Sequence, residues 1–81
     1  MRVHLLYFAT FRDVAGRDRE DRQVAEGARV SDLWKDLVGE MPSLARTGSM
    51  PPAAVNREYT GADTRLAEGD EVAFLPPVAG G

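Results

Sequence analysis

Between Arg2 and Phe8 apolar side chains occupy both alternating sets of positions, Val3, Leu5 and Tyr7 in one and Leu6 and Phe8 with His4 in the other. A period of two is the strand signature. Apolar residues in both sets predict a central strand, covered on one side and partly covered on the other. The polar segment Arg12-Asp13-Val14-Ala15-Gly16 then reads as a short connection ending in a turn residue. From Arg17 to Val24 the charges alternate in sign, which predicts a second strand at a sheet edge, where charge keeps unpaired backbone soluble.

The period changes in the middle of the chain. Val30, Leu33, Trp34, Leu37, Val38 and Met41 fall at i, i+3, i+4, i+7, i+8 and i+11, the apolar stripe of a helix. Ser31 is the expected N-cap, with Asp32 favourable in the first turn, and Pro42 stops the helix. Trp34 and Met41 belong on this stripe as core residues. Residues Ser43 to Pro52 form a loop containing Pro, Gly and Ser. Ala53 to Asn56 is a short strand, Asn56-Arg57-Glu58 a turn into Tyr59, and Gly61 and Asp63 mark another turn. Leu66 to Asp70 is a tight turn feeding a last strand, Glu71 to Leu75.

The order is strand, strand, helix, then short strands ending in a strongly apolar one. The compact solution lays the helix across one face of a mixed sheet, with the first and last strands paired at its centre. This is an α+β architecture, the β-grasp or ubiquitin-like fold. One domain is expected over residues 1–75, with 76–81 as an extended tail.

With 81 residues, the chain buries only roughly 60–70% of the surface its unfolded form exposes. That allows one small core and no deep, lidded cavity. Hydrophobic residues at 43% and charged residues at 28% argue against disorder. Ten Lys and Arg against 13 Asp and Glu give a net charge of −3, which does not fit a nucleic-acid binder. The longest apolar run, Leu5 to Ala9, is far short of a membrane span, and Met1-Arg2-Val3-His4 leads straight into strand pattern without a leader. A cytoplasmic protein is expected.

Counting excludes most catalytic constellations. Without cysteine there is no thiolate metal site, disulfide or Cys nucleophile. His4 is the only histidine, so a multi-histidine metal site is impossible, and its strand position lies away from a cleft. No phosphate-binding glycine loop is present. Pairs such as Asp18 with Glu20 and Glu68 with Glu71 read as solvated faces. Arg17, Arg19 and Arg22 are interleaved with Asp18, Glu20 and Asp21, which argues against an anion site there.

The carboxyl end differs. Pro76-Pro77-Val78-Ala79-Gly80-Gly81 follows the last strand. The two prolines fix φ and favour extended chain. Six extended residues reach roughly 20 Å. Glycines at the tip lack Cβ, so the backbone fits a narrow channel in a partner. The reactive group delivered there is the α-carboxylate of Gly81. A carboxylate is a poor electrophile at neutral pH and must first be activated, most simply as an acyl adenylate made with ATP. The sequence has no ATP-binding loop of its own, so a separate enzyme must supply that site.

The chain resembles the MoaD/ThiS family of ubiquitin-like sulfur carriers over nearly its whole length, and within it most closely the small subunits of molybdopterin synthases. The resemblance is carried by Leu6-Tyr7-Phe8-Ala9 with Arg12, by Val55-Asn56-Arg57-Glu58, by Leu66 with Gly69-Asp70-Glu71-Val72-Ala73-Phe74, and by Pro76-Pro77-Val78-Ala79-Gly80-Gly81. It implies a chain that is not catalytic alone and binds no cofactor. An adenylyltransferase resembling ubiquitin-activating enzymes would use ATP to adenylate Gly81, and a sulfurtransferase would replace AMP with sulfur. The thiocarboxylated tail, Pro76 to Gly81, would enter the large subunit of a heterotetrameric molybdopterin synthase. There it would donate sulfur to cyclic pyranopterin monophosphate. Family partner contacts map onto Phe8, Tyr59 and Leu75, with Arg12 as a polar contact; Leu75 replaces a frequent aromatic residue and Tyr59 an aliphatic one. The residues themselves agree in part. Both faces of the first and last strands are apolar, yet one helix covers one face, which leaves a partner-binding patch or a self-association surface. A sulfur carrier for thiazole or tRNA thiolation, a lysine-conjugated modifier and an inert-tailed binding module are the competing readings.

Overall fold

The computed structural model describes residues 1–45 and 50–76. Strand β1 (Arg2–Tyr7) leads into helix α1 (Ala9–Ala15), strand β2 (Arg19–Gln23) and helix α2 (Val30–Glu40). A 3-10 turn at Pro42–Ala45 and three short strands follow: β3 (Ala53–Val55), β4 (Glu58–Thr60) and β5 (Glu71–Phe74). The sheet order is β2-β1-β5-β3-β4. The first and last strands pair in parallel at the centre, with Leu5 opposite Val72 and Tyr7 opposite Phe74; the other neighbours are antiparallel. This is the expected β-grasp arrangement.

The sequence period decides which side chains meet. Val3, Leu5 and Tyr7 point to one face with Val72, Phe74 and Ala53, and all six are buried. The stripe of α2, with Val30, Leu33, Trp34 and Leu37, completes the core with them. Trp34 packs between Phe11 and Phe74, with ring centroids 5.8 Å and 5.0 Å apart. Met41 is only partly buried and packs against the edge of the core.

Two local expectations are corrected. Ala9–Ala15 is a helix, not an irregular connection. It is held by one buried side chain, Phe11, and closed by Gly16 at φ 74°, the left-handed conformation that glycine adopts without a Cβ penalty. The N-cap of α2 is Arg29, not Ser31. Val30 already belongs to the helix, so Asp32 falls at the third helical position and its carboxylate accepts from the Arg29 backbone N–H at 2.9 Å. Five strand ends also differ slightly from expectation: β1 ends at Tyr7, β2 runs from Arg19 to Gln23, β3 ends at Val55 and β5 at Phe74.

The β3–β4 turn places Asn56 at φ 52° and Arg57 at φ 71°, the geometry of a type I′ hairpin turn. Asn56 also ties this turn to β5. Its Oδ1 accepts from the Glu71 N–H and its Nδ2 donates to Asp70 Oδ1, both at 3.0 Å.

Candidate functional site

Both helices and the 3-10 turn contribute buried side chains to one side of the sheet. The strand residues that alternate with the core set look the other way. Arg19, Leu6, Ala73, Ala54 and Tyr59 are successive register partners across all five strands, so they form a row over the uncovered face. Ala73 is buried without joining the core cluster, because Leu6 and Ala54 flank it on this outer side.

A shallow groove, open to solvent, runs along this face. Its floor is Leu6, Phe8, Ala54, Ala73 and Leu75, and its charged margin is Arg19, Arg57 and Glu71. Phe8 is 45% exposed, a large apolar surface for a chain this small. It is the N-cap residue of α1, where the chain leaves the sheet. At the same end the Leu75 N–H donates to the Pro52 carbonyl at 2.9 Å, which continues the β3–β5 ladder one residue past β5. Pro76 has no N–H to extend it. Pro76 therefore follows the end of the ladder on the side of Phe8 and Leu75. Pro76 is the last described residue; Pro77, Val78, Ala79, Gly80 and Gly81 lie outside the described residues.

The structure brings Phe8 and Leu75 into one groove. Tyr59 is 79% exposed and shares the face, but it stands on the outermost strand and lines a separate depression with Asn56 and Thr60. Arg12 projects from α1 outside the groove, its Nε 3.9 Å from Asp18 Oδ1. Six groove residues were not singled out from sequence as site residues: Leu6, Arg19, Ala54, Arg57, Glu71 and Ala73. The signal for Leu6 was present in its alternation with Leu5. Ala54 and Ala73 are too small to stand out before the strand register is known.

Several polar groups elsewhere are mutually engaged. The Tyr7 hydroxyl donates to Glu20, and burial followed by that carboxylate holds its pKa far above the ordinary phenol value. His4 Nδ1 lies 2.6 Å from Asp21 Oδ1, and this hydrogen bond holds the Asp21 carboxyl below its usual value. Among the described residues no three potential metal ligands come together, and no helix is long and apolar enough to cross a membrane. Among the described residues that line the groove none form a nucleophile–base pair. The face presents apolar area with charge at its margin, at the end of the sheet where Leu75 and Pro76 lie.

A mixed sheet closed at its centre by its first and last strands, with one long helix across it, defines a ubiquitin-like β-grasp protein. The chain belongs to the ThiS family, whose model matches residues 5–81. It is similar to the molybdopterin synthase sulfur carrier subunit of Chlamydomonas reinhardtii, with 35% identity over 83 residues and 100% of both chains covered. It is also similar to small archaeal modifier protein 3 of Haloferax volcanii, 38% identical over 93 residues with 100% of both chains covered. Among solved structures, subunit 1 of a molybdopterin converting factor from Pyrococcus furiosus superposes with a TM-score of 0.84. It has 34% identity, covering 96% of this chain and 99% of that one.

Proposed function

We propose that this chain is the sulfur-carrier subunit of a molybdopterin synthase, with the α-carboxylate of Gly81 as its working group. The observation that carries the reading is the apolar groove ending where the Pro76–Gly81 segment begins. A partner seated on Phe8 and Leu75 is thereby placed to receive that segment. The full-length similarity to carrier subunits supports the choice of pathway.

The chemistry has two stages. An adenylyltransferase joins the Gly81 carboxylate to AMP, releasing pyrophosphate from ATP. The mixed anhydride makes the carbonyl carbon electrophilic, and a sulfur nucleophile delivered by a sulfurtransferase displaces AMP to leave a thiocarboxylate. The charged tail then enters the synthase large subunit and gives its sulfur to the pterin precursor, restoring the carboxylate. The carrier's own residues dock and orient; the nucleotide site and the catalytic side chains belong to its partners. Residues 1–75 act as the docking domain and 76–81 as the arm, and the process takes place in the cytoplasm.

Intact mass after incubation with the activating enzyme, ATP and a sulfur donor should show replacement of one oxygen by sulfur. Added to the synthase large subunit and cyclic pyranopterin monophosphate, the charged carrier yields the dithiolene. No dithiolene from a fully thiocarboxylated carrier overturns the reading.

Similarity to an archaeal modifier protein favours one second reading, attachment to target lysines. It predicts higher-mass lysine conjugates in cells in place of the thiocarboxylate. The chain's one lysine, Lys35, is exposed on α2, so conjugation to itself could extend through that position alone.

A further inference from the structure

The charges that interleave along β2 in sequence do not balance in space. Arg17 reaches Glu20 at 3.2 Å, and Arg22 is held by Glu20 at 3.6 Å and by Glu40. Asp18 lies against Arg12 and Asp21 against His4. At the groove margin, Arg57 Nε stands 3.9 Å from Glu71 Oε1. Arg19 pairs with no carboxylate among the described residues, although it is exposed and lines the groove. Its register partner Leu6 starts the apolar row. In a chain of net charge −3 this margin is a local positive site next to apolar floor.

We propose that Arg19 is a specificity-determining residue of the docking face, and that the protein receiving the tail sets a carboxylate against it while covering Leu6, Ala73 and Ala54 with apolar side chains. The inference rests on the carrier reading above. The argument is complementarity. An unpaired guanidinium left under an apolar contact loses water without return, and a matching carboxylate offsets that cost and rejects partners lacking one. Charge at an interface margin acts mainly on association rate and its salt dependence. Arg19 would therefore select and steer the partner, while Phe8 and Leu75 hold it.

The test measures binding of the full-length, uncharged carrier to the purified synthase large subunit, so no sulfur chemistry is involved. Arg19→Glu is expected to weaken binding roughly tenfold or more at low salt. Much of the loss should appear in the association rate, and the salt dependence should flatten. Arg19→Lys should restore much of the rate. Phe8→Ala should weaken binding and leave the salt slope of the native chain. Thermal melting of Arg19→Glu checks that the exposed edge position leaves the fold intact. Unchanged affinity and salt slope in Arg19→Glu overturn the proposal. Tighter binding by Arg19→Glu also overturns it, because the arginine then holds a carboxylate of its own chain, such as that of Gly81. Concentration-dependent self-association that is lost in Arg19→Glu assigns the face to a second copy and overturns it too. Failure of the native chain to bind the large subunit at all sinks the carrier reading instead, which keeps the two failures apart.

Discussion

Leu5 and Phe8 sit three residues apart on one stretch of chain and do different work. Leu5 is fully buried between α2 and the sheet. Leu5→Ala should lower unfolding free energy by about 2–5 kcal/mol, read as a shifted urea midpoint at unchanged slope. Phe8 caps α1 with half its surface in water. Phe8→Ala should change stability by less than about 1 kcal/mol while weakening partner binding, as aromatic residues at the centre of contact surfaces do. Equal losses of stability in the two variants would show Phe8 to be core. Asp21 supplies a pH test. Its pKa is lowered in the folded state by His4, so its contribution is present above the unfolded carboxylate value and disappears as pH falls through the folded one. Asp21→Asn should therefore be less stable than the native chain near neutrality, and the two should converge in acid. For Tyr7 the sign reverses. Its raised pKa means stability complete below about pH 10 and declining above it. Tyr7→Phe should show a flatter alkaline limb in thermal melts against pH.

At the scale of elements, legibility followed length. The apolar stripe of α2 persists for three turns and was readable directly; so were β1 and β5, whose double-faced apolarity demanded a central position. Helix α1 gave no such signal. It has 7 residues and one buried side chain, too few for a period to show. The Arg12–Gly16 string then looked like a turn because Gly16, its real C-cap, is a turn residue as well. The start of α2 was misread for a related reason. Ser31 is a favourable cap in isolation, yet Val30 must enter the helix to reach the core, which moves the cap to Arg29 and gives Asp32 the capping hydrogen bond. Asp32→Ala should then cost about 0.5–2 kcal/mol, and Ser31→Ala should change the denaturation midpoint very little. The opposite ranking would restore Ser31 as the cap. The groove was half legible. Phe8 and Leu75 came from family resemblance and the excess of apolar strand surface. Arg19 was hidden because alternating signs along a strand say nothing about which charges share a face.

For the whole molecule, the sheet separates stability from delivery. Among the described residues the last strand hydrogen bond is made by the Leu75 N–H. Removing Gly81 should leave the melting temperature unchanged and abolish thiocarboxylate formation, measured by intact mass. Full charging of the shortened chain would show the terminal carboxylate of Gly81 to be dispensable. The central parallel pair of β1 and β5 has one more effect. It joins residues from opposite ends of the sequence, and α2 packs on both. A nascent polypeptide still missing Glu71–Phe74 has no middle to its sheet and half a floor under its helix. Folding must therefore wait until the ribosome has finished the last strand, and on the proposed carrier function any charging of the terminus would come after both.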